Sequence, residues 1–199
     1  MSKPFSQACE NNKQPIAECL IEQFASASKV LEIGSGTGQH SVHFAPLLPH
    51  LNWHTSDVLD NHAGIVSWHQ AFPADNLHAP LCFKIGENDW PLPAVDAVFS
   101  ANTAHIMQWH EVELMFQLIT QNLADNGVFC LYGPFNVNGE YTSDSNAQFD
   151  LWLAEQGFGG IRDIEALCAL QPQLTLQHQY RLPANNQLLV FRKQSTISE

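Results

Sequence analysis

The segment "VLEIGSGTGQH" (30–40) sets glycines at 34, 36 and 38 between a short apolar run and a helix-like stretch. Glycines at alternate positions allow a tight turn and let a ligand approach the backbone without meeting a Cβ. A helix opening just after them presents unpaired N–H groups. Glu32 stands immediately before this loop. A carboxylate there repels a pyrophosphate and attracts an ammonium group. The GxGxG spacing, in place of GxGxxG, also counts against a dinucleotide. A plain glycine turn between strand and helix is the alternative reading.

S-adenosylmethionine has the matching chemistry, with an amine, a cationic sulfonium and no phosphate. A second carboxylate, Asp57, ends the next apolar run, where a ribose-holding acid belongs in a strand–helix–strand unit. An ionised carboxylate accepts from both ribose hydroxyls; Asp57 also reads as a cap of the following helix. His40 falls in the first turn after the glycines. A helix N-terminus disfavours imidazolium, so His40 is expected neutral, as a proton acceptor or as a brace for the loop. His105, in "SANTAHIMQWH", reads either as a packed histidine or as part of a reaction centre beside Asn102. Tyr132, Asn136, Tyr141 and Asn146 after the fifth strand, and Asn185 in "PANN", converge on the same rim, with Tyr132, Asn136 and Asn185 the expected substrate contacts. Ordinary turn chemistry explains the loop asparagines equally well.

Those residues need a frame. Short apolar runs at 29–33, 51–57, 80–85, 95–101 and 128–133 alternate with helical patterns at 39–47, 60–71 and 111–123. Asn126-Gly127 reads as the stop of the last of these. Another helical pattern, 16–25, precedes them, with Pro15 suited to its first turn. Two more helices and a hairpin of 174–182 with 187–193 follow. Alternation of this kind predicts an α/β fold: a mostly parallel seven-stranded sheet with a C-terminal antiparallel hairpin and helices on both faces. The expected organisation is one domain, 1–199, with an N-terminal helical cap (1–28) on a Rossmann-like core (29–199). Ligands then sit beyond the carboxyl ends of the strands, where these motifs cluster.

Bulk properties narrow the function. The 199 residues are 45% hydrophobic and 14% charged, a globular composition. Eight Lys and Arg against 20 Asp and Glu give a formal charge of -12, which repels nucleic acid. No run approaches the roughly 20 apolar residues of a membrane span, and the polar start lacks a secretory pattern. Cysteines 9, 19, 82, 130 and 168 include no CxxC pair, so reduced thiols and a cytoplasmic location are expected. Cys82 and Cys130 lie in apolar runs and are expected in the core. His40 and His43 can share a helix face and His50 and His54 are close in sequence. No Cys/His cluster has the spacing of a closed zinc site, and no metal is expected.

With "LEIGSGTGQH" and "SD" after the second strand, the chain resembles the class I methyltransferases over nearly its whole length. It is most similar to a small family first labelled a domain of unknown function, also called methyltransferase-like 26. "EIGSGTGQHSVHFA", "ANTAHI.QW", "LYGPF", "SNAQFD" and "PANNQLLVFRK" carry that resemblance. The resemblance implies a cofactor loop at Gly34, Gly36 and Gly38, led by Glu32, a ribose contact at Asp57, and Asn102 beside the methionine part of S-adenosylmethionine. Lys84 stands where such enzymes often place an adenine-binding acid. The backbone of Ile85 or Gly86, or the side chain of Asn88 or Asp89, is the expected substitute. In the family an arginine commonly stands at the position of Asn11. The reaction expected is methyl transfer to a small-molecule N, O or S nucleophile, with His105 or His40 as base where the acceptor must lose a proton. The alternatives are an inactive cofactor-binding module or subunit and, against the loop spacing, an NAD(P)-dependent oxidoreductase.

Overall fold

The computed structural model describes residues 3–195, so the outermost residues of the expected domain lie outside it. The chain runs α1 (Gln7–Gln23), β1 (Lys29–Ile33), α2 (Gln39–Leu47), β2 (Asn52–Asp57), α3 (Leu59–Ala71), β3 (Leu77–Cys82) and β4 (Val95–Ala101). It continues through α4 (Trp109–Asn122), β5 (Leu123–Gly133), β6 (Phe135–Asn136), α5 (Asp144–Glu155), β7 (Arg162–Asp163), α6 (Ile164–Leu170), β8 (Leu174–Leu182) and β9 (Asn186–Lys193). Seven strands form the expected sheet in the order β3-β2-β1-β4-β5-β9-β8. All pairs up to β5 are parallel; β5–β9 and β8–β9 are antiparallel. Strand order reverses between β1 and β4. The chain therefore passes from β1 to α2 on one face and from β4 to α4 on the other, and a crevice opens beyond the strand ends.

Both faces of the sheet are covered. Phe116, Phe129 and Phe191 lie in the cluster under α4 and α6, and Phe44, Trp53 and Phe99 in the one under α1 and α2. Each of these six rings is fully buried, which stabilises the fold by about 2–3 kcal/mol per side chain. The second cluster also sets the site, because the His40 ring stacks on Phe44 at 5.3 Å and meets Phe99 edge-on at 6.0 Å.

Several boundaries differ from expectation. Helix α1 starts at Gln7, where the Ser6 side chain accepts from Cys9 N–H, and Pro15 lies inside it. Proline removes one i→i−4 bond. The carbonyl that loses its partner belongs to Asn11, an exposed residue, while Ile16, Ala17 and Leu20 on the far side are buried. Strand β3 spans 77–82 and not 80–85. It pairs along β2 as far as Asp57↔Cys82, the end of β2, and has nothing to pair with beyond. As β3 is the edge strand, Cys82 is exposed, whereas Cys130 in central β5 is buried as expected. Helix α4 ends at Asn122 and β5 begins at once; Asn126 (φ +61°) makes a left-handed kink inside that strand and does not stop the helix. The two-residue parallel pair of β6 with β7 had no sequence signal.

Candidate cofactor and acceptor cleft

Gly34 and Gly36 sit at φ +72° and +57°, in the left-handed region that glycine occupies at least cost. Space constrains Gly34 as well: an added Cβ would lie 2.6 Å from Thr103 Cγ2. Thr103 is fixed by a hydroxyl contact to Ser100 (2.6 Å), whose own hydroxyl donates to Ile33 O (2.8 Å). The loops after β1 and β4 are thus packed against each other. Gly38 (φ +85°) caps α2, and a Cβ there would meet the Ile65 backbone at 3.0 Å. Gly36 alone of the three opens onto free space.

That space is a cleft of about 960 Å³ beyond the carboxyl ends of β1, β4 and β5. The structure brings Gly34, Gly36, His40, Asn102, His105, Tyr132 and Asn185 to its walls. Helix α1 forms one side through Cys9 and Asn12, and α5 the other through Asn146, Phe149 and Trp152. Gln39 ties α1 to the glycine loop: its carbonyl accepts from Ser6 N–H (2.6 Å) and its amide donates to Glu10 (2.7 Å). A smaller cavity of about 410 Å³, with Arg181 and Glu140 on its walls, lies across the Asn185–Asn186 turn.

Burial keeps the two cleft histidines, His40 and His105, neutral at pH 7. His40 is pushed down to about 4 by burial first, with His43 adding to the shift. Burial thus acts in the direction expected of the helix end. Asn12 Oδ1 faces His40 Nε2 at 2.7 Å, which sets the Nε2–H tautomer and leaves Nδ1 as acceptor. The Tyr132 phenol is pushed up by burial, with Asn12 and Asn186 acting the other way. His105 is held down at about 4 by burial and then by Arg162, and its ring meets Phe149 edge-on at 5.4 Å. Asn102 adopts φ +57°, a conformation asparagine tolerates, and its N–H donates to Tyr132 O at 2.9 Å.

Glu32, Gly38, Asp57, Ile85, Asn88 and Asn136, all expected at the site, do not line the cleft. The Glu32 carboxyl is buried beneath the loop, where Trp53 Nε1 donates to it at 2.9 Å; burial pushes it up to about 7 against that bond and one from Ser35. Asp57 holds the loop from below. One oxygen accepts from Gly36 N–H (2.6 Å), the other from Val58 N–H (2.7 Å) and Asn61 Nδ2 (2.8 Å). The Ile85 side chain packs in the core, and Asn88 Oδ1 is taken by Lys84 N–H at 2.9 Å. Asn136 sits in β6 with its Oδ1 buried and unpartnered. Gly38 lies below the rim, against Ile65.

Sequence reading missed Asn12 and Arg162. Arg162, in β7, is buried and donates from Nε to Ala104 O (3.0 Å) and from its guanidinium to Met107 O, pinning the loop that carries Asn102 and His105. Its scarcity was the only available signal, since the chain has eight Lys and Arg in all.

The sheet order, the glycine loop at its switch point and the C-terminal hairpin define the class I methyltransferase fold. Solved structures share it. An O-methyltransferase family protein from Burkholderia thailandensis matches at TM-score 0.78 and 16% identity over 94% of this chain and 58% of that one. Human N-acetylserotonin methyltransferase, in complex with SAM, matches at 0.81 and 13% over 95% and 53%. A putative O-methyltransferase from Nostoc punctiforme PCC 73102 matches at 0.78 and 20% over 93% and 56%. The chain thus spans little more than half the length of these structures. It belongs to the family described as "Protein of unknown function (DUF938)", which matches residues 3–193. No helix among the described residues is long and apolar enough to cross a membrane.

Proposed function

We propose that the cleft binds S-adenosylmethionine and directs methyl transfer to a small-molecule N, O or S nucleophile. The observation that carries this reading is the glycine loop, with Gly36 open to a cleft that no charged side chain lines and Glu32 buried beneath it. When bound, the cofactor supplies an electrophilic methyl and its own leaving group. The chain's work is alignment and exclusion of water. Gly34, Ser35 and Gly36 hold the amino-acid end, Asn102 borders it, and Asp57 keeps the loop in shape for the ribose. Adenine falls to the turn at Ile85 and Gly86, where Lys84 is paired with Glu87 and offers no acid. His40 Nδ1 or a His105 ring nitrogen accepts the acceptor's proton. Both histidines are weak bases for this task, which favours an acceptor that reacts with its proton in place or already lost.

Melting with ligands tests the reading. S-adenosylmethionine and S-adenosylhomocysteine are expected to raise Tm by several degrees at saturating concentration, and NAD to leave it unchanged. No shift with either sulfur ligand rejects the proposal. A shift with NAD alone returns the chain to the oxidoreductase class. Binding without transfer to any component of a metabolite extract makes it a cofactor-binding subunit.

Asp57→Asn probes the loop. One remaining carbonyl oxygen cannot serve both Gly36 and the Val58–Asn61 side, so a charge-assisted bond is lost. Affinity for S-adenosylhomocysteine is expected to fall about tenfold in calorimetry with folding retained. An unchanged Kd would detach Asp57 from the cofactor.

A further inference from the structure

We propose that the part of the acceptor held in this cleft is an uncharged, planar aromatic or heteroaromatic group bearing a hydrogen-bonding substituent. The inference rests on the methyltransferase reading and names its substrate class. No side chain lining the cleft is Asp, Glu, Lys or Arg, in a chain with 28 such residues overall. Charges just behind the walls are already committed. Arg162 donates to the Ala104 and Met107 carbonyls. Asp150 accepts from Tyr141 Oη and Ile161 N–H, each at 2.6 Å. Glu10 is taken by Lys13 and Gln39. An ionised acceptor group would lose water here and gain no counter-charge from the protein.

What the walls do offer is aromatic surface and amide dipoles. His105, Phe149 and Trp152 form a continuous series, His105 edge-on to Phe149 and Phe149 stacked on Trp152 at 5.7 Å and 12°. Trp152 is 47% and Ile106 39% exposed, so this wall runs out to the rim as an apolar lip. Flat ligands gain most from such a surface. Asn12, Asn102, Asn185 and Asn186 also line the cleft, and they orient a hydroxyl, amide or ring nitrogen without selecting for charge. Charged side chains do line the smaller cavity beyond the Asn185–Asn186 turn, where Arg181 and Glu140 stand on its walls.

Four probes of one shape test this by calorimetry on protein saturated with S-adenosylhomocysteine: 2-naphthol, 2-naphthoate, 2-naphthyl phosphate and 2-(aminomethyl)naphthalene. 2-Naphthol is expected to bind at least about tenfold more tightly than any charged member. Phe149→Ala, at a half-buried position that tolerates truncation, is expected to weaken 2-naphthol about tenfold while S-adenosylhomocysteine affinity stays the same. A charged probe that equals or exceeds 2-naphthol overturns the proposal, as does failure of all four to bind the loaded protein. Failure of S-adenosylhomocysteine itself to bind is a different result: it removes the methyltransferase reading and this inference with it.

Discussion

Arg162→Ala should destabilise the protein by about 3 kcal/mol and loosen the site with it. The side chain is 9% exposed, and no carboxylate pairs with it among the described residues. Its guanidinium serves instead as a fork between the Ala104 and Met107 carbonyls, packed 5.5 Å from the Trp109 ring. Truncation leaves those carbonyls facing a void, and each buried orphan costs roughly 1–3 kcal/mol. Arg162→Met restores volume but no donors, so it should recover the packing part only. Arg162→Lys, with one point of charge in place of a fork, cannot reach both oxygens in the same geometry. Because the held segment carries Asn102 and His105, the melting shift induced by S-adenosylhomocysteine should shrink in all three variants. The His105 imidazole should titrate higher once the neighbouring cation is gone, since Arg162 contributes to holding it down. Urea unfolding and imidazole NMR titration read the two effects separately. A stability loss below about 1 kcal/mol would show that the carbonyls find water and that the fork is dispensable.

The fold was legible because its signals are local. Three alternate glycines, apolar runs of strand length and the change of period between them sit within a few residues of one another, and they determine β1, α2, β4 and β9 closely. Where tertiary contacts decide, reading fails. Strand β3 ends where its partner β2 ends, which no residue of "PLCFKI" announces. Helix α1 runs through Pro15 because the buried face from Ile16 to Leu20 outweighs one missing bond. The site divides in the same way. His40, Asn102 and His105 could be picked out from their place after strands. Asn12 meets His40 across 28 residues and Arg162 meets Ala104 across 58, and those distances carry no sequence pattern. Glu32 was chosen for its charge, but a sequence does not reveal that Trp53 will roof it over.

Glu32→Gln should make the ligand-free protein more stable above neutral pH by about 3 kcal/mol, while changing it little at pH 5. Burial raises the folded-state pKa of Glu32 from 4.5 to about 7. Between those values the folded chain keeps a proton that the unfolded chain has released, so stability falls as pH rises through this window. Above about 7 the full cost of an ionised, dehydrated carboxylate is present. Glutamine keeps an oxygen to accept from Trp53 Nε1 and carries no charge to desolvate, so its stability is flat over the same range. Urea titrations of both proteins from pH 5 to 8.5 isolate the residue, because every other group is common to them. Parallel curves would mean that Glu32 ionises freely and that Trp53 and Ser35 stabilise its charge as well as water does. The same substitution should weaken S-adenosylhomocysteine at pH 8, since the ligand's ammonium loses the negative charge beneath the loop. Opposite signs for stability and affinity distinguish a carboxylate kept for its charge from one kept for packing.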